Sequence, residues 1–321
     1  MKRKRMPRNA GVSIGEALQR FQDYNVLKNL TPYTLKYYEQ KIGYFIEFAG
    51  GAETPLPTVS LETVNDYILS MKRSDTISDV TINVRLRALR AFLHYCMNNG
   101  WLETFEVHMI KAPYPIKEPY TDTELALLLK KPDMGTCLFS EYRDWVIVNF
   151  LLSTGCRLGT LIEIKIKDVD FKTGMVYFKH MKARNQMAVP LSSTMSKILQ
   201  EYIRYRGGQN EDYLFVSETE EQMTPNTVHS SIARYNRRRG VYKTSVHLFR
   251  HTFAMKYIQA GGDPFRLQKL LGHSDLTMTR HYVALYADDL KANYDKLNPL
   301  EQFKRQAQDG DRHKMMPPYP N

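Results

Sequence analysis

The sequence has little of what marks secreted, metal-binding or membrane-spanning proteins. Its three cysteines are an odd number without metal-type spacing, which argues against a disulfide framework and against a zinc site. No apolar run approaches the roughly 20 residues that cross a bilayer. The basic N-terminus is followed by no apolar stretch of the signal-peptide kind. These absences predict a cytoplasmic protein with reduced thiols and no membrane partner.

Basic residues are in excess over acidic ones. The chain has 45 lysines and arginines against 34 aspartates and glutamates, a formal net charge of +11. A surplus of this size favours a polyanionic partner, of which nucleic acid is the commonest. A basic enzyme of another kind would show the same balance, so charge alone does not decide the function.

Apolar spacing and prolines predict two domains of mainly α-helical structure. Residues 1–112 repeat apolar positions at helical intervals, and Pro113, Pro115 and Pro119 then favour an extended connector. The remainder, 113–321, is expected to be helical with one small β-hairpin in GMVYFKHMKARNQMAVPL.

Two helices of the second domain have clear boundaries. Thr121 and Glu124 fit the Ser/Thr-x-x-Glu capping box and predict a helix start. Asp263, Pro264 and Gly272 have the order of N-cap, first helical residue and C-terminal stop.

Two basic residues of the second domain stand where an anionic ligand is favoured. Arg157 follows the helix-ending glycine of TGCRLGTL within apolar sequence, and desolvating a lone guanidinium is costly. A structural salt bridge to Asp168 or Asp170 would meet the same need. Lys182 lies in the predicted hairpin turn, where it is either solvated or folded over a bound anion.

The segment TSVHLFRHTFA places a histidine and an arginine on one helix face. His247 and Arg250 have i, i+3 spacing and could hold a phosphate through charge-assisted hydrogen bonds. His247 and His251 have the i, i+4 spacing of zinc-binding helices. The glutamate of the H-E-x-x-H motif is missing, however, so no metal is expected.

The stretch LGHSDLTMTRHY contains His273, directly after a helix-ending glycine, and Tyr282, nine residues later. Taken singly, His273 is expected to cap the last carbonyls of its helix. Tyr282, one of 21 tyrosines, is expected to pack half-buried.

In this order and spacing the patches resemble the tyrosine recombinase (phage integrase) family, which includes Xer proteins and integrases. The family has an arginine in TG-x-R-x-x-E-L, a hairpin lysine, an H-x-x-R motif, and LGH nine residues before a nucleophilic tyrosine. The matching positions are Arg157, Lys182, His247, Arg250, His273 and Tyr282. One departure is Thr160, where an acidic residue is usual. Glu163, one turn further on, is a candidate replacement.

The resemblance implies a DNA phosphodiester as substrate, with no metal and no cofactor. A phenol has a pKa of about 10 and the phosphate repels anions, so attack needs a base, an acid and cations. The family implies that Arg157 and Arg250 bind the non-bridging oxygens, with a further hydrogen bond from His273.

The same resemblance assigns the proton transfers and the nucleophile. His247 would handle the phenol proton, and Lys182 would protonate the departing 5′ oxygen. Tyr282 would become joined to the 3′ phosphate, from which a 5′ hydroxyl of a partner strand restores the DNA. The implied function is site-specific recombination or integration.

The implied fold is a C-shaped clamp of two domains around duplex DNA, with residues 1–112 as a SAM-like core-binding domain. Candidate DNA contacts, or alternatively solvated basic groups, are Lys36, Lys41, Arg85, Arg87, Arg90 and Arg184.

The family also implies partners besides duplex DNA. A homo-tetramer on nucleoid DNA is expected, joined through the C-terminal tail, together with an accessory DNA-bending or directionality protein. The helix expected around Leu290, Tyr294 and Leu297 would dock on a neighbour or pack on its own domain.

Two alternatives use related structures. A type IB topoisomerase shares the chemistry, but the small N-terminal domain and the LGH-to-tyrosine spacing favour a recombinase. A non-catalytic DNA-binding relative would be expected to have lost one of the six residues. A mobile-element integrase and a chromosome-dimer resolvase both fit the sequence.

Overall fold

The structure, a computed structural model, describes residues 11–74, 76–112, 118–178, 187–272 and 298–301. The chain divides into two compact units, Met1–Ile116 and Lys117–Asn321. The described part is mainly helical with one small sheet, which confirms the predicted fold class. Within the described ranges, no helix combines the length and apolar character that a bilayer span would require. The linker prolines Pro113 and Pro115 and the expected helix around Leu290 lie outside these ranges.

Four helices make up the described part of the first unit: α1 (Ile14–Leu27), α2 (Pro32–Phe48), α3 (Leu61–Lys72) and α4 (Asp79–Asn98). Each begins after a serine or threonine whose hydroxyl accepts a backbone N–H of the first turn. α2 packs on α4, and Ile42, Phe45, Leu86 and Leu89 are completely buried in this unit. Burial of such side chains contributes about 1.5–3 kcal/mol each.

The described helices of the second unit are α5 (Asp122–Leu129), α6 (Phe139–Thr154), α7 (Leu158–Leu161), α8 (Ser193–Arg206), α9 (Pro225–Arg238), α10 (Val246–Gln259) and α11 (Pro264–Leu271). The predicted capping box of Thr121 and Glu124 is present at the start of α5. Asp263 accepts the backbone N–H of Arg266 at 2.7 Å and caps α11, as predicted.

The small sheet contains three described strands in the order β1 (Val169–Asp170), β2 (Met175–Phe178) and β3 (Met187–Pro190), all antiparallel. β2 and β3 are the arms of the predicted hairpin, with Val176 opposite Val189. Its turn, which includes Lys182, lies outside the described residues. β1 was not predicted, because two residues are too few to form a recognisable alternation.

α6 is the helix around which the second unit is built. Its side chains from Tyr142 to Val148 are buried on every face of the helix, and such a helix must be surrounded by others. α5, α8, α9 and α10 pack against it. The core therefore fixes the position of its C-terminal end at Gly155.

A buried ion pair within α6 is hydrogen-bonded to Ser231 of α9. Arg143 and Asp144 are 4% and 6% exposed, and the Arg143 Nε and Nη2 atoms lie 3.1 and 2.8 Å from Asp144 Oδ1. The Ser231 hydroxyl donates to the other Asp144 oxygen. Arg143 Nη1 also donates to the Val216 carbonyl at 3.0 Å. The guanidinium thus depends on one carboxylate for its counter-charge.

We predict that Asp144→Ala destabilises the second unit by about 3–5 kcal/mol, because it leaves a buried guanidinium without its counter-charge. The free energy of unfolding would be measured by urea denaturation followed by tryptophan fluorescence, since Trp145 is next to the substitution in α6. Glu218→Ala, which removes an exposed carboxylate of the same unit, is the control. A loss below about 1 kcal/mol, the usual range of exposed pairs, would contradict the prediction.

Candidate active site

Arg250 is held by the ends of two helices. It lies on α10 and is only 5% exposed. Its Nη1 and Nη2 atoms donate to the carbonyls of Gly155 and Leu271, both at 2.8 Å. Gly155 caps α6 and Gly272 caps α11, each with φ of 60°. Carbonyls at a helix C-terminus carry the negative end of the helix dipole, so they stabilise a buried cation.

Arg157 reaches the same place from the start of α7. Its Nη1 atom lies 3.3 Å from the Leu271 oxygen, and its Nη2 atom lies 3.4 Å from the Gly272 oxygen. In the described part of the chain these backbone oxygens are its acceptors, while Asp170 accepts the backbone N–H groups of Lys172 and Thr173. The alternative salt bridge to Asp170 is therefore not what these residues form.

The half-buried position of Arg157 affects the pKa of its guanidinium. Burial lowers the pKa of the Arg157 guanidinium from its ordinary value, because water is removed from the cation. Arginine nevertheless remains protonated at neutral pH. Arg157 and Arg250 thus bring two positive charges to one oxygen, that of Leu271. The structure places these two predicted site residues together.

His247 lies one turn before Arg250 on α10 and is exposed. Its ring stands edge-on to that of His251, with centroids 5.0 Å apart and an interplanar angle of 89°. The predicted site residues Lys182, His273 and Tyr282 lie outside the described residues. His273 directly follows Gly272 in the chain, so it begins one residue after the carbonyl that Arg157 contacts.

Thr160, where the family motif usually has an acidic residue, is buried, and the nearby Glu163 is hydrogen-bonded to Gln222. Thr160 lies in α7, three residues after Arg157, and is 6% exposed. Glu163, the candidate replacement, accepts a hydrogen bond from the Gln222 side chain at 3.0 Å. The same amide donates to the Ile162 carbonyl at 3.1 Å. Glu163 therefore fastens the segment before α9, and among the described residues it makes no hydrogen bond or ion pair with Arg157 or Arg250.

The candidate DNA contacts of the first unit fall into two groups. Three side chains are exposed, those of Lys36, Arg87 and Arg90. Lys41 and Arg85 lie over the ring of Tyr44, at 5.7 and 3.9 Å from its centroid. A guanidinium at that distance makes a cation–π contact, which favours a structural role for Arg85. Arg184 lies outside the described residues.

The backbone oxygens that hold the arginines were not identified as site atoms from the sequence. Gly155 and Gly272 were recognised only as helix stops, although each ends the helix that supplies a carbonyl. The available signal was that TGCR and LGH each pair a helix-ending glycine with a predicted site residue. Only the fold shows that both helix ends face Arg250.

Comparison with known families agrees with the geometry. A model described as the phage integrase family matches residues 122–288, and one described as the phage integrase SAM-like domain matches residues 17–112. The chain belongs to the phage integrase family. The predicted family is therefore confirmed, and so is the predicted class of enzyme, a tyrosine site-specific recombinase.

Integrase-family proteins resemble the chain over most of its length. A tyrosine recombinase of Pseudothermotoga lettingae is 27% identical over 288 residues, covering 89% of this chain and 98% of the relative. The Tn1549 transposon integrase in complex with a circular intermediate DNA has a TM-score of 0.73 at 21% identity, covering 89% of this chain and all of that one. A lambda integrase tetramer bound to a Holliday junction has a TM-score of 0.69 at 18% identity, covering 85% and 78%. The two structures establish likeness of fold.

We predict that Cys156, between Gly155 and Arg157, resists alkylation in the folded protein. Burial raises the pKa of the Cys156 thiol to about 12, and that of Cys96 likewise to about 12. The reactive thiolate is then on the order of 10⁻⁴ of the thiol at pH 8. N-ethylmaleimide followed by peptide mass spectrometry should find the half-buried Cys137 modified first, and the other two only in urea. Modification of Cys156 as fast as Cys137 would show that the end of α6 is open to solvent.

Proposed function

We propose that this protein cleaves and rejoins duplex DNA at specific sites through a 3′-phosphotyrosyl intermediate on Tyr282. The observation that carries the proposal is the convergence of Arg157 and Arg250 on the carbonyl oxygen of Leu271. Two guanidiniums that reach one oxygen atom are close enough to bind a single phosphate group. Family membership supplies the reaction, and the arginine pair supplies the charge that the reaction requires.

The electrostatic demand of the reaction explains the arrangement. A tyrosine oxygen attacking a phosphodiester forms a pentavalent transition state with more negative charge on its non-bridging oxygens than the substrate has. Fixed cations stabilise that charge without reorganisation at the moment of reaction. Arg250 is fixed by two 2.8 Å hydrogen bonds, whereas the contacts of Arg157 are 3.3–3.5 Å long. We propose that Arg157 exchanges these contacts for a phosphate oxygen.

Proton transfers complete the proposed mechanism. His247, exposed one turn before Arg250, would take the proton of the Tyr282 phenol as its oxygen bonds to phosphorus. Lys182 would give a proton to the 5′ oxygen as its bond to phosphorus breaks, and His273 would donate to a non-bridging oxygen. Attack by a 5′ hydroxyl then reverses the step and releases Tyr282. The phosphodiester energy is kept in the phosphotyrosine, so rejoining needs no nucleotide.

The first unit is proposed to bind the other side of the duplex, completing a two-domain clamp. Lys36 and Arg87 are exposed and flank Tyr37, whose hydroxyl donates to the Val84 carbonyl at 2.9 Å. This bond joins α2, which carries Lys36, to α4, which carries Arg87. Phosphate contacts of this kind give affinity that falls steeply with salt.

The assembly we propose is a homo-tetramer on DNA in the nucleoid of the cytoplasm, joined by the C-terminal tail and assisted by a DNA-bending or directionality protein. The lambda integrase tetramer on a Holliday junction, of the same fold, supports the tetramer. Matches to integrase models on both units favour a recombinase over a type IB topoisomerase. Sites of a mobile element and a chromosome-dimer resolution site fit this proposal equally.

We predict that the protein forms a covalent adduct with nicked duplex DNA that contains its site, because the nick lets the cleaved end diffuse away and prevents rejoining. The adduct should survive denaturant, and peptide mapping should locate it on Tyr282. Tyr282→Phe should abolish the adduct while DNA binding persists, since only the nucleophilic oxygen is lost. An adduct on another tyrosine, or none with the unaltered protein, would overturn the proposal.

We predict that Lys182→Ala cleaves ordinary DNA very poorly but recovers on a substrate with a bridging 5′ sulfur. A thiol, with a pKa of about 8.5, leaves without being protonated, so a missing general acid no longer matters. The rate of adduct formation on the two substrates is the measurement.

Two variants serve as controls for this substrate test. Arg157→Ala should lose on the order of 10²-fold or more in cleavage and recover much less with sulfur, because its charge on the non-bridging oxygens is not replaced. Tyr282→Phe should remain inactive on both substrates. A Lys182→Ala protein that stays inactive on the sulfur substrate would show that Lys182 positions DNA, and Lys179 would be the next candidate acid.

A further inference from the structure

The end of α6 is in unusually close contact with α10 and α11. Gly155 has φ of 60°, a left-handed conformation that disfavours side chains. A Cβ atom at this position would lie 2.4 Å from Phe253 Cδ1 and 2.9 Å from Leu271 Cδ2. Real Cβ atoms do not approach so closely. The absence of a side chain at Gly155 therefore lets Phe253 and Leu271 close over the helix end.

We propose that Gly155 is a positioning residue that sets the distance between the two carbonyls holding Arg250. One of these carbonyls is its own and the other belongs to Leu271, the residue that a methyl group at 155 would displace. The inference rests on the proposed function of Arg250 and adds to it a residue that would not touch DNA.

The packing of α11 makes this position sensitive. Leu271 belongs with Ala254 and Leu267 to a small cluster, and α11 also contacts the main core of the unit through the partly buried Leu270. Phe253, partly buried, packs against this cluster. Within the described residues, α11 buries two side chains, Leu267 and Leu271, whereas α6 is surrounded on all sides, so α11 is expected to yield more readily than α6. A methyl group on Gly155 is therefore expected to displace α11, and with it the Leu271 carbonyl shared by Arg157 and Arg250.

Gly240 provides a matched control. It follows the end of α9 in the same unit with φ of 74°, and a Cβ there would meet no atom within 4 Å. Gly155→Ala and Gly240→Ala thus share the cost of the left-handed conformation, and they differ in the contact with Phe253 and Leu271. Comparing them isolates the contact from the backbone strain.

The first test measures DNA cleavage and DNA binding separately. At saturating protein, Gly155→Ala should slow adduct formation on the nicked duplex by about 10- to 100-fold, because displacement of a catalytic group by about 1 Å can cost 10²-fold. DNA binding by Gly155→Ala should change less than about threefold, and so should the rate of adduct formation by Gly240→Ala, since neither involves the displaced carbonyl. Adding Phe253→Leu to Gly155→Ala removes the closest contact, the ring atom at 2.4 Å, so that the methyl group can shift toward residue 253 and away from Leu271, and it should recover most of the rate. Phe253→Leu alone is measured alongside.

The second test needs no DNA. In protein with ¹⁵N-labelled arginine, the Nη hydrogens of Arg250 should exchange slowly with water, and Gly155→Ala should accelerate this exchange while Gly240→Ala should not. The proposed function fails if the unaltered protein forms no adduct on Tyr282, whereas the positioning role fails if exchange is the same in both glycine variants.

In the measurements on DNA, three further results would overturn the positioning role. They are equal losses of binding and cleavage in Gly155→Ala, similar effects of Gly155→Ala and Gly240→Ala, and no recovery on adding Phe253→Leu. Should Gly155→Ala alone fail to fold, the double variant decides: recovery of folding and cleavage supports the inference, and continued failure overturns it.

Discussion

A buried guanidinium must find negative charge or oxygen acceptors, and the arrangement of the second unit follows from how Arg250 finds them. Its two 2.8 Å hydrogen bonds go to the last carbonyls of two helices that run from different parts of the sequence. Helix ends are suitable acceptors because their carbonyls lack intrahelical partners and carry the negative end of the dipole. Each helix must stop abruptly for its carbonyls to face a third helix, and a glycine in the left-handed conformation stops each one.

The rest of the unit fixes these helix ends to different degrees. α6 is buried on all faces and is joined to α9 through Arg143, Asp144 and Ser231, so Gly155 has little freedom. α11 packs through a small cluster that includes Leu271, and through Leu270 against the main core. One acceptor of Arg250 therefore belongs to the helix at the centre of the unit, and the other to a helix that buries two side chains within the described residues. The geometry at Arg250 depends on the contact between them.

Local sequence signals predicted the helices and their ends, whereas the arrangement of the site residues depends on contacts between distant parts of the chain. Asp263, Pro264 and Gly272 bounded α11 because a cap and a stop are written within a few residues. The start of α6 at Phe139 has no such signal, because its N-cap residue, Leu138, makes no side-chain cap. The bond between Arg250 and Gly155 joins residues 95 positions apart. No periodicity reports such a contact, so the arginines were brought together only by family resemblance.

Arg157 and Arg250 are not equivalent: the charge of Arg250 is fixed in place by short hydrogen bonds, whereas that of Arg157 is free to move toward a ligand. Arg250 is almost fully buried and makes short bonds, so moving it toward a ligand would leave two carbonyls unsatisfied, at a cost of about 1–3 kcal/mol each. Arg157 is half-buried and its bonds to Leu271 and Gly272 are long. An ionised phosphate oxygen is a stronger acceptor than a carbonyl. In the proposed function, Arg157 would therefore exchange these contacts for a phosphate oxygen, while Arg250 would stay in place beside the bound phosphate.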